Sequence, residues 1–391
     1  MRDCGEKTKA ETGQKPSSLS EIVVARVLPT WCALGRTDFG GPADPGGSLR
    51  LPDKGPLATL RVQAQMVSAR AKAASSRLGT KGASSFPAYL ATLLAHFLSP
   101  DGEPGLARVV AATGEVLDSR RALEDHAWML RALADSYVAT GSRDILLVAD
   151  LILEFIDRHL ANNSIGYFED NQGCGERRQS SHAHLLDAIL TLQAATGSRV
   201  YLARAADLVE LFRFHLLDRV CLNVGEVFDR SWRAVPPARS AIFSPASAAR
   251  WIVLLHRHHL AAGDEQAFEL MQALGRRLLA QRDGGGMIAS AIDASGAVRD
   301  RSLQLRDQLW LGAALQALGR GGEAGQLESR IGALFIDPAP TGCWFERVGE
   351  DRCSLGDPIS METLAALVGH AADAQSSREF VPESVIAMHA A

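Results

Sequence analysis

The sequence predicts an all-α protein, an (α/α)6 barrel: a toroid of six helical hairpins with short β-hairpins at one rim. Two observations carry that prediction. First, six glycine-led excursions, each with a short β-prone run, recur along the 391 residues; their lead glycines at 41, 105, 166, 225, 286 and 342 are 64, 61, 59, 61 and 56 residues apart. Second, an amphipathic helical pattern follows each excursion, and a further helix leads on to the next. A helix pair cannot bury its apolar stripe alone, so such units pack side by side. Neither end carries a polar capping unit, which favours closure into a ring over an open solenoid.

The excursions are Phe39-Gly40-Gly41, Gly105–Val110, Gly166–Glu169, Gly225–Asp229, Gly286–Ser290 and Gly342–Glu346, several followed by polar turns such as Asp293-Ala294-Ser295-Gly296. The helices after them, rich in Ala and Leu as close inner packing requires, begin near Arg61, Leu123, Ser181, Ala246, Leu305 and Ser360. The first five end at Gly79, Gly141, Gly197, Gly263 and Gly319, where a C-terminal glycine is expected. In the third, Ser180 and Ser181 read as the N-cap. The second helices span Asp144–His159, Arg199–Phe214, Asp264–Gln281 and Gly322–Phe335, with a weaker pattern between Gly79 and Leu98. Residues 1–22 read as a disordered tail, 23–375 as the toroid and 376–391 as a C-terminal tail.

Composition narrows the function. With 47% hydrophobic residues, 22% charged and a formal net charge of -4, the chain is ordinarily globular. It has no Lys/Arg run to suggest nucleic acid, no apolar stretch long enough for a membrane and no apolar secretory core. Six scattered cysteines without a C-x-x-C pair read as free thiols of a cytoplasmic protein. His256, His258 and His259 lie late in the fourth inner helix, where they suit its C-terminal dipole rather than a metal. If all six inner helices run the same way, Arg61, Gln63, Asp125, His126, His182, His184, Ser247, Arg250, Arg306, Gln308 and Glu362 converge on one mouth. Helix N-termini there favour polar or anionic ligands.

Several motifs then resemble one family. Trp31…Gly35-Arg36…Asp38-Phe39-Gly40-Gly41 is similar to its opening, and Arg61-Val62-Gln63-Ala64-Gln65 to its R-x-V-Q-A-R. Asp125-His126-Ala127 with Tyr137…Ala139-Thr140-Gly141 resembles D-H-A…Y-x-A-T-G. Ser180–Ala188 resembles N-P-H-M-H-L-L-E-A, and Phe228-Asp229-Arg230-Ser231-Trp232 resembles F-D-x-D-W. Over roughly residues 24–373 the chain resembles the N-acylglucosamine 2-epimerases, with cellobiose 2-epimerases and mannose, sulfoquinovose and some mannose-6-phosphate isomerases.

That resemblance implies an (α/α)6 barrel and a small-molecule partner, a free or phosphorylated aldose or ketose, with no metal or other cofactor. It implies proton transfer beside a carbonyl, with His184 as acid/base and Arg61 on the enediolate or ring oxygen. His182, Arg250, Arg306, Gln308 and Glu362 are expected to contact the substrate, and a homodimer is one oligomeric state left open. The chain departs from the family where Ser247 and Leu364 stand at its histidine positions and Arg250 at a carboxylate position. A homologue that binds a carbohydrate without turnover is therefore the alternative. A glycosidase on the same toroid ranks last, because it needs two facing carboxylates and only Asp125 and Glu362 offer themselves.

Overall fold

A computed structural model describes residues 18–33, 57–76, 78, 86–111, 113–162, 165–173, 175–237 and 241–379. The excursion at Phe39-Gly40-Gly41 and the expected helix end at Gly79 lie outside them. In chain order, α1 (Leu19–Ile22) passes through a π-helical turn, Val23–Val27, into α2 (Leu28–Ala33). Then follow α3 (Leu60–Ser75), α4 (Phe86–Phe97), α5 (Leu123–Thr140), α6 (Arg143–Phe155), α7 (Gln179–Thr196) and α8 (Arg199–Leu211). The last five are α9 (Pro245–Ala262), α10 (Glu265–Ala280), α11 (Leu305–Ala317), α12 (Gly321–Ile331) and α13 (Met361–Glu379).

The odd-numbered helices α3 to α13 form an inner ring. Each packs on the next, and α13 packs back on α3, so the ring closes. Around it α4, α6, α8, α10 and α12 each cover the inner helix before them in the chain. The sixth outer partner is the N-terminal helix, which lies on α13 and α12. Leu19, Ile22 and Val23 are buried in it, so packing starts inside the stretch expected to be a tail, and α13 runs past the expected boundary at 375. The first and last helical segments thus meet. Trp31 Nε1 donates to the carbonyl of Gly342 at 2.8 Å. That glycine has φ +84°, and a Cβ on it would sit 2.3 Å from Thr30 Oγ1.

The short strands knit the rim. Leu57–Thr59, just before α3, pairs with Val109–Ala111 of the hairpin that leads into α5. The same step recurs between Arg177-Arg178 and Val227-Phe228, between Ile242-Phe243 and Ala291–Asp293, and between Leu303-Gln304 and Arg347-Val348. The starts of α3, α7, α9 and α11 are thereby tied to the next hairpin, and a single bridge between Ala122 and Asp170 does the same for α5.

The helices α5, α7 and α9 end as read from sequence, with Gly141, Gly197 and Gly263 in the left-handed conformation after the last turn. The capping of α7 differs. Arg178, not a serine, holds the N-cap position, and Ser181 Oγ donates to Glu169 Oε2 of the preceding hairpin at 2.6 Å. Among the described residues no helix is long and apolar enough to cross a membrane.

Candidate active site

Counted from its first residue, each inner helix turns its second, sixth, ninth and thirteenth residues toward the axis. That is the i, i+4, i+7, i+11 stripe of a 3.6-residue helix. The third and fourth residues turn off-axis toward the hairpins. This register decides what every candidate residue does.

The second residues form the rim: Arg61, Glu124, Arg306 and Glu362. They pair with neighbours at the same level, Arg61 with Glu124 at 3.2 Å and Arg306 with Glu362 at 2.7 Å. Arg61 also donates from Nε to Asp125 at 3.2 Å. The sixth residues lie one turn deeper. Trp128 packs on the His184 ring with centroids 4.7 Å apart, and the Arg250 guanidinium sits 5.2 Å from the centroid of Trp310. Below them Arg131 and Arg257 both hold Asp187. A cavity of about 440 Å³ runs down this axis, from Arg306 and Glu362 past His184 and Arg250 to Ser75, Ser76 and Val138 at the far helix ends. Its size suits a small molecule.

His184 is the centre of the cluster. Its Nε2 lies 3.7 Å from Glu362 and 3.8 Å from Glu124. Two nitrogens of Arg250 approach its ring, Nη2 at 2.6 Å from Nδ1 and Nη1 at 3.1 Å from Nε2. Burial and the Arg250 charge hold the imidazole well below its ordinary value, so it is neutral at pH 7. Burial also raises the Glu124 carboxyl. Burial opposes ionisation of Asp187, yet Arg131 and Arg257 outweigh it and keep that carboxyl below the usual range. Asp307, third residue of α11, is pushed up by burial to about 7.

Of the residues expected at a ligand, His184, Arg250, Arg306 and Glu362 come together on the cavity wall. Arg61 stands beside them at the rim, engaged by Glu124 and Asp125. His182 and Gln308 do not join them. Both are fourth residues, fully buried, with their polar atoms taken by main chain. His182 Nδ1 donates to the Arg178 carbonyl at 2.8 Å, and its Nε2 accepts from the Tyr167 N–H at 3.1 Å. Gln308 Nε2 donates to the Ile288 carbonyl at 2.8 Å, while its Oε1 accepts from the Ile288 N–H at 3.1 Å. His126 makes the same clasp with Ala122 and Leu106. Burial lowers both His126 and His182 to about 4, so these clasps are neutral imidazoles.

Ser247 and Leu364 also lie off-axis. Ser247 Oγ donates to Glu226 and accepts from Gln179 Nε2 at 3.1 Å, and Leu364 is core. Among the described residues, no group of three or more His, Cys, Asp or Glu side chains is placed to hold a metal ion. Sequence reading missed Glu124, Trp128, Trp310, Asp187, Arg131 and Arg257. The signal was available as register: each lies on the stripe that already carried His184.

Comparison with known proteins agrees with this architecture. A family model described as N-acylglucosamine 2-epimerase (GlcNAc 2-epimerase) matches residues 46–360. Among solved structures, the cellobiose 2-epimerase from Bacillus thermoamylovorans B4167 superposes with a TM-score of 0.77 at 16% identity, over 91% of this chain and 98% of that one. The cellobiose 2-epimerase from Spirochaeta thermophila DSM 6192 gives 0.75 at 19% identity, over 92% and 96%. A D-mannose isomerase gives 0.77 at 14% identity, over 94% and 100%. At such identities the likeness establishes the fold, the (α/α)6 barrel.

Proposed function

Starting from the fact that the chain belongs to the N-acylglucosamine 2-epimerase family, we propose that it is a sugar epimerase or aldose–ketose isomerase that works by proton transfer at His184. One observation carries the reading: a buried, neutral imidazole on the wall of a cavity sized for a small molecule, with the Arg250 and Arg306 cations and the Glu362 carboxylate on the same wall. A neutral imidazole is the basic form. It takes the proton from the carbon beside the carbonyl, the C–H pair becomes the C=C of an enediolate, and the carbonyl oxygen gains the negative charge. Arg306, on the same wall, and Arg61, behind it at the rim, are the candidates to stabilise that oxygen. Return of the proton to the same carbon from the other face epimerises; return to the neighbouring carbon isomerises. We place the reaction in the cytoplasm, which suits the free thiols of Cys221, Cys343 and Cys353.

A second reading, a carbohydrate binder without turnover, is favoured by a specific contact. Arg250 lies against both ring nitrogens of His184, and a cation there opposes the imidazolium that proton abstraction creates. The two positions where the resemblance expects further histidines, Ser247 and Leu364, do not face the cavity. The experiment that separates the readings is deuterium incorporation at the carbon beside the carbonyl. It is followed by NMR in heavy water over a panel of aldoses, ketoses and their phosphates. Incorporation into one of them supports the enzyme; saturable binding with no incorporation into any supports the binder.

A further inference from the structure

Among the described residues, Arg250 is the one arginine of the cluster around His184 with no carboxylate at short range. Its neighbours are all engaged: Arg306 by Glu362 at 2.7 Å, Arg61 by Glu124 at 3.2 Å, and Arg131 and Arg257 by Asp187. Among the described residues no carboxylate lies within 4.0 Å of Arg250. The carboxylates that act on it, Asp187, Glu362 and Glu124, do so from farther away, and each is already held by another arginine. Arg250 is nevertheless only 6% exposed.

Its hydrogen bonds are incomplete as well. Nη1 and Nη2 both point at His184, but a neutral imidazole has one acceptor nitrogen, so at most one of those contacts is a full hydrogen bond. Nε has no partner. A buried guanidinium stays charged, and a buried polar group without partners is costly unless something else satisfies it. Nε is itself out of reach of the cavity, but the side chain lines that open space, so an anion entering it is the available counter-charge for the guanidinium.

We infer that Arg250 is the recognition point for an oxyanion carried by the substrate, making the preferred ligand an anionic sugar such as a hexose phosphate or a hexuronate; this rests on the proposed sugar-binding reading of the cavity. A hydroxyl of a neutral sugar accepts one hydrogen bond and leaves the charge in place. An oxyanion accepts two from the guanidinium fork and neutralises it. The same step draws Arg250 away from the His184 ring, so the ligand's charge removes the cation that opposes protonation of the base. Binding and activation of His184 are then one event.

The test is calorimetric titration of the full chain with mannose, mannose 6-phosphate, glucuronate and inorganic phosphate, at low and high salt, with Arg250→Gln and Arg250→Lys alongside. The expected result is at least tenfold tighter binding of one anionic sugar than of mannose, weakened by salt. Arg250→Gln should bring the ratio of anionic to neutral affinity down to about one, whatever its effect on neutral-sugar affinity, and Arg250→Lys should recover part of that ratio. The phosphate and glucuronate arms tell a phosphoryl from a carboxylate site. Equal affinity for neutral and anionic sugars, or a preference that survives Arg250→Gln, overturns the inference. Should Arg250→Gln not fold, the wild-type chain decides: inorganic phosphate at millimolar concentration should shift the His184 ring resonances, and no shift overturns it. Failure here is distinct from failure of the enzymatic reading. Anion-selective binding without deuterium exchange keeps the inference and loses turnover. Exchange of neutral sugars without anion preference does the reverse.

Discussion

His182 and His184 share a helix and stand two residues apart, yet they belong to different regions of the molecule. His182 faces the hairpin side of the ring, where both nitrogens are used up on main chain. His184 faces the axis, where it meets only side chains and a cavity. Both are buried and both are neutral at pH 7. Burial and protonation state therefore do not separate the histidine held by main chain from the one on the cavity wall; the identity of the partners does. The fourth residues of three inner helices, His126, His182 and Gln308, clasp hairpin backbone, while the second and sixth residues are the ones free to meet a ligand.

The largest expected effect tests the axis side. His184→Gln should lower deuterium exchange by about 10²–10⁴-fold, the usual worth of a general base. Its thermal unfolding should stay near wild type, since no main-chain group depends on that ring. Wild-type exchange in the folded variant would remove His184 from the chemistry.

The hairpin side should behave in the opposite way. His182→Ala removes a fully buried ring and leaves the Tyr167 N–H and the Arg178 carbonyl without its two part-buried hydrogen bonds, a loss of roughly 1–3 kcal/mol in denaturant unfolding. Exchange per folded molecule should be little changed. His182→Gln should recover part of the stability, because Gln308 shows that an amide makes an equivalent clasp. If His182→Ala is as stable as wild type, the clasp is not what holds the hairpin.

The hairpin side itself carries two opposite pH signatures. For His126 and His182, lowered by burial to about 4 from an ordinary 6.5, stability is present above 6.5 and is lost as pH falls toward 4. Asp307 runs the other way. Its carboxyl is raised by burial to about 7 from 3.8, so its stability is present below 3.8 and is lost as pH rises toward 7. Asp307→Asn should therefore stabilise the chain at pH 8 by about 1–3 kcal/mol and have little effect near pH 4. His182→Gln should flatten the acid limb of the same curve. Unfolding midpoints measured from pH 4 to 8 check both; an Asp307→Asn effect independent of pH would contradict the assignment.

The smallest contrast lies between neighbouring serines. Ser181 is tied to the half-buried Glu169 carboxylate, whereas Ser180 is a second residue on the axis side, with no side-chain bond among the described residues. Ser181→Ala should cost about 1 kcal/mol and Ser180→Ala less than about 0.5. Equal effects would mean that the register does not divide the helix as described.

How much was legible in the sequence follows the same division. The six inner helices begin within two residues of where glycine spacing and apolar periodicity put them, because those signals are local: a helix needs its stripe, and a chain reversal needs a residue that tolerates positive φ. Gly141, Gly197 and Gly263 end their helices for that reason. The N-terminal helix was missed because nothing local marks it as an outer helix; its partner, α13, lies more than three hundred residues away in the chain.

In the site, the sequence by itself determined which residue types gather at the helix starts: His184, Arg250, Arg306 and Glu362 are all there. It did not determine their roles. His182 and Gln308 carry the same kinds of polar groups as the cavity residues, and only the rotation of each helix about its own axis sends them to the hairpins. Arg306 and Arg250 are both arginines near a helix start, and only the ring places Glu362 beside the first and, among the described residues, no carboxylate within 4.0 Å of the second. Rotation and neighbour identity are set by packing one whole helix against two others, an energy summed over many contacts distant in sequence. No short motif encodes that sum, which is why the residues were legible and their division of labour was not.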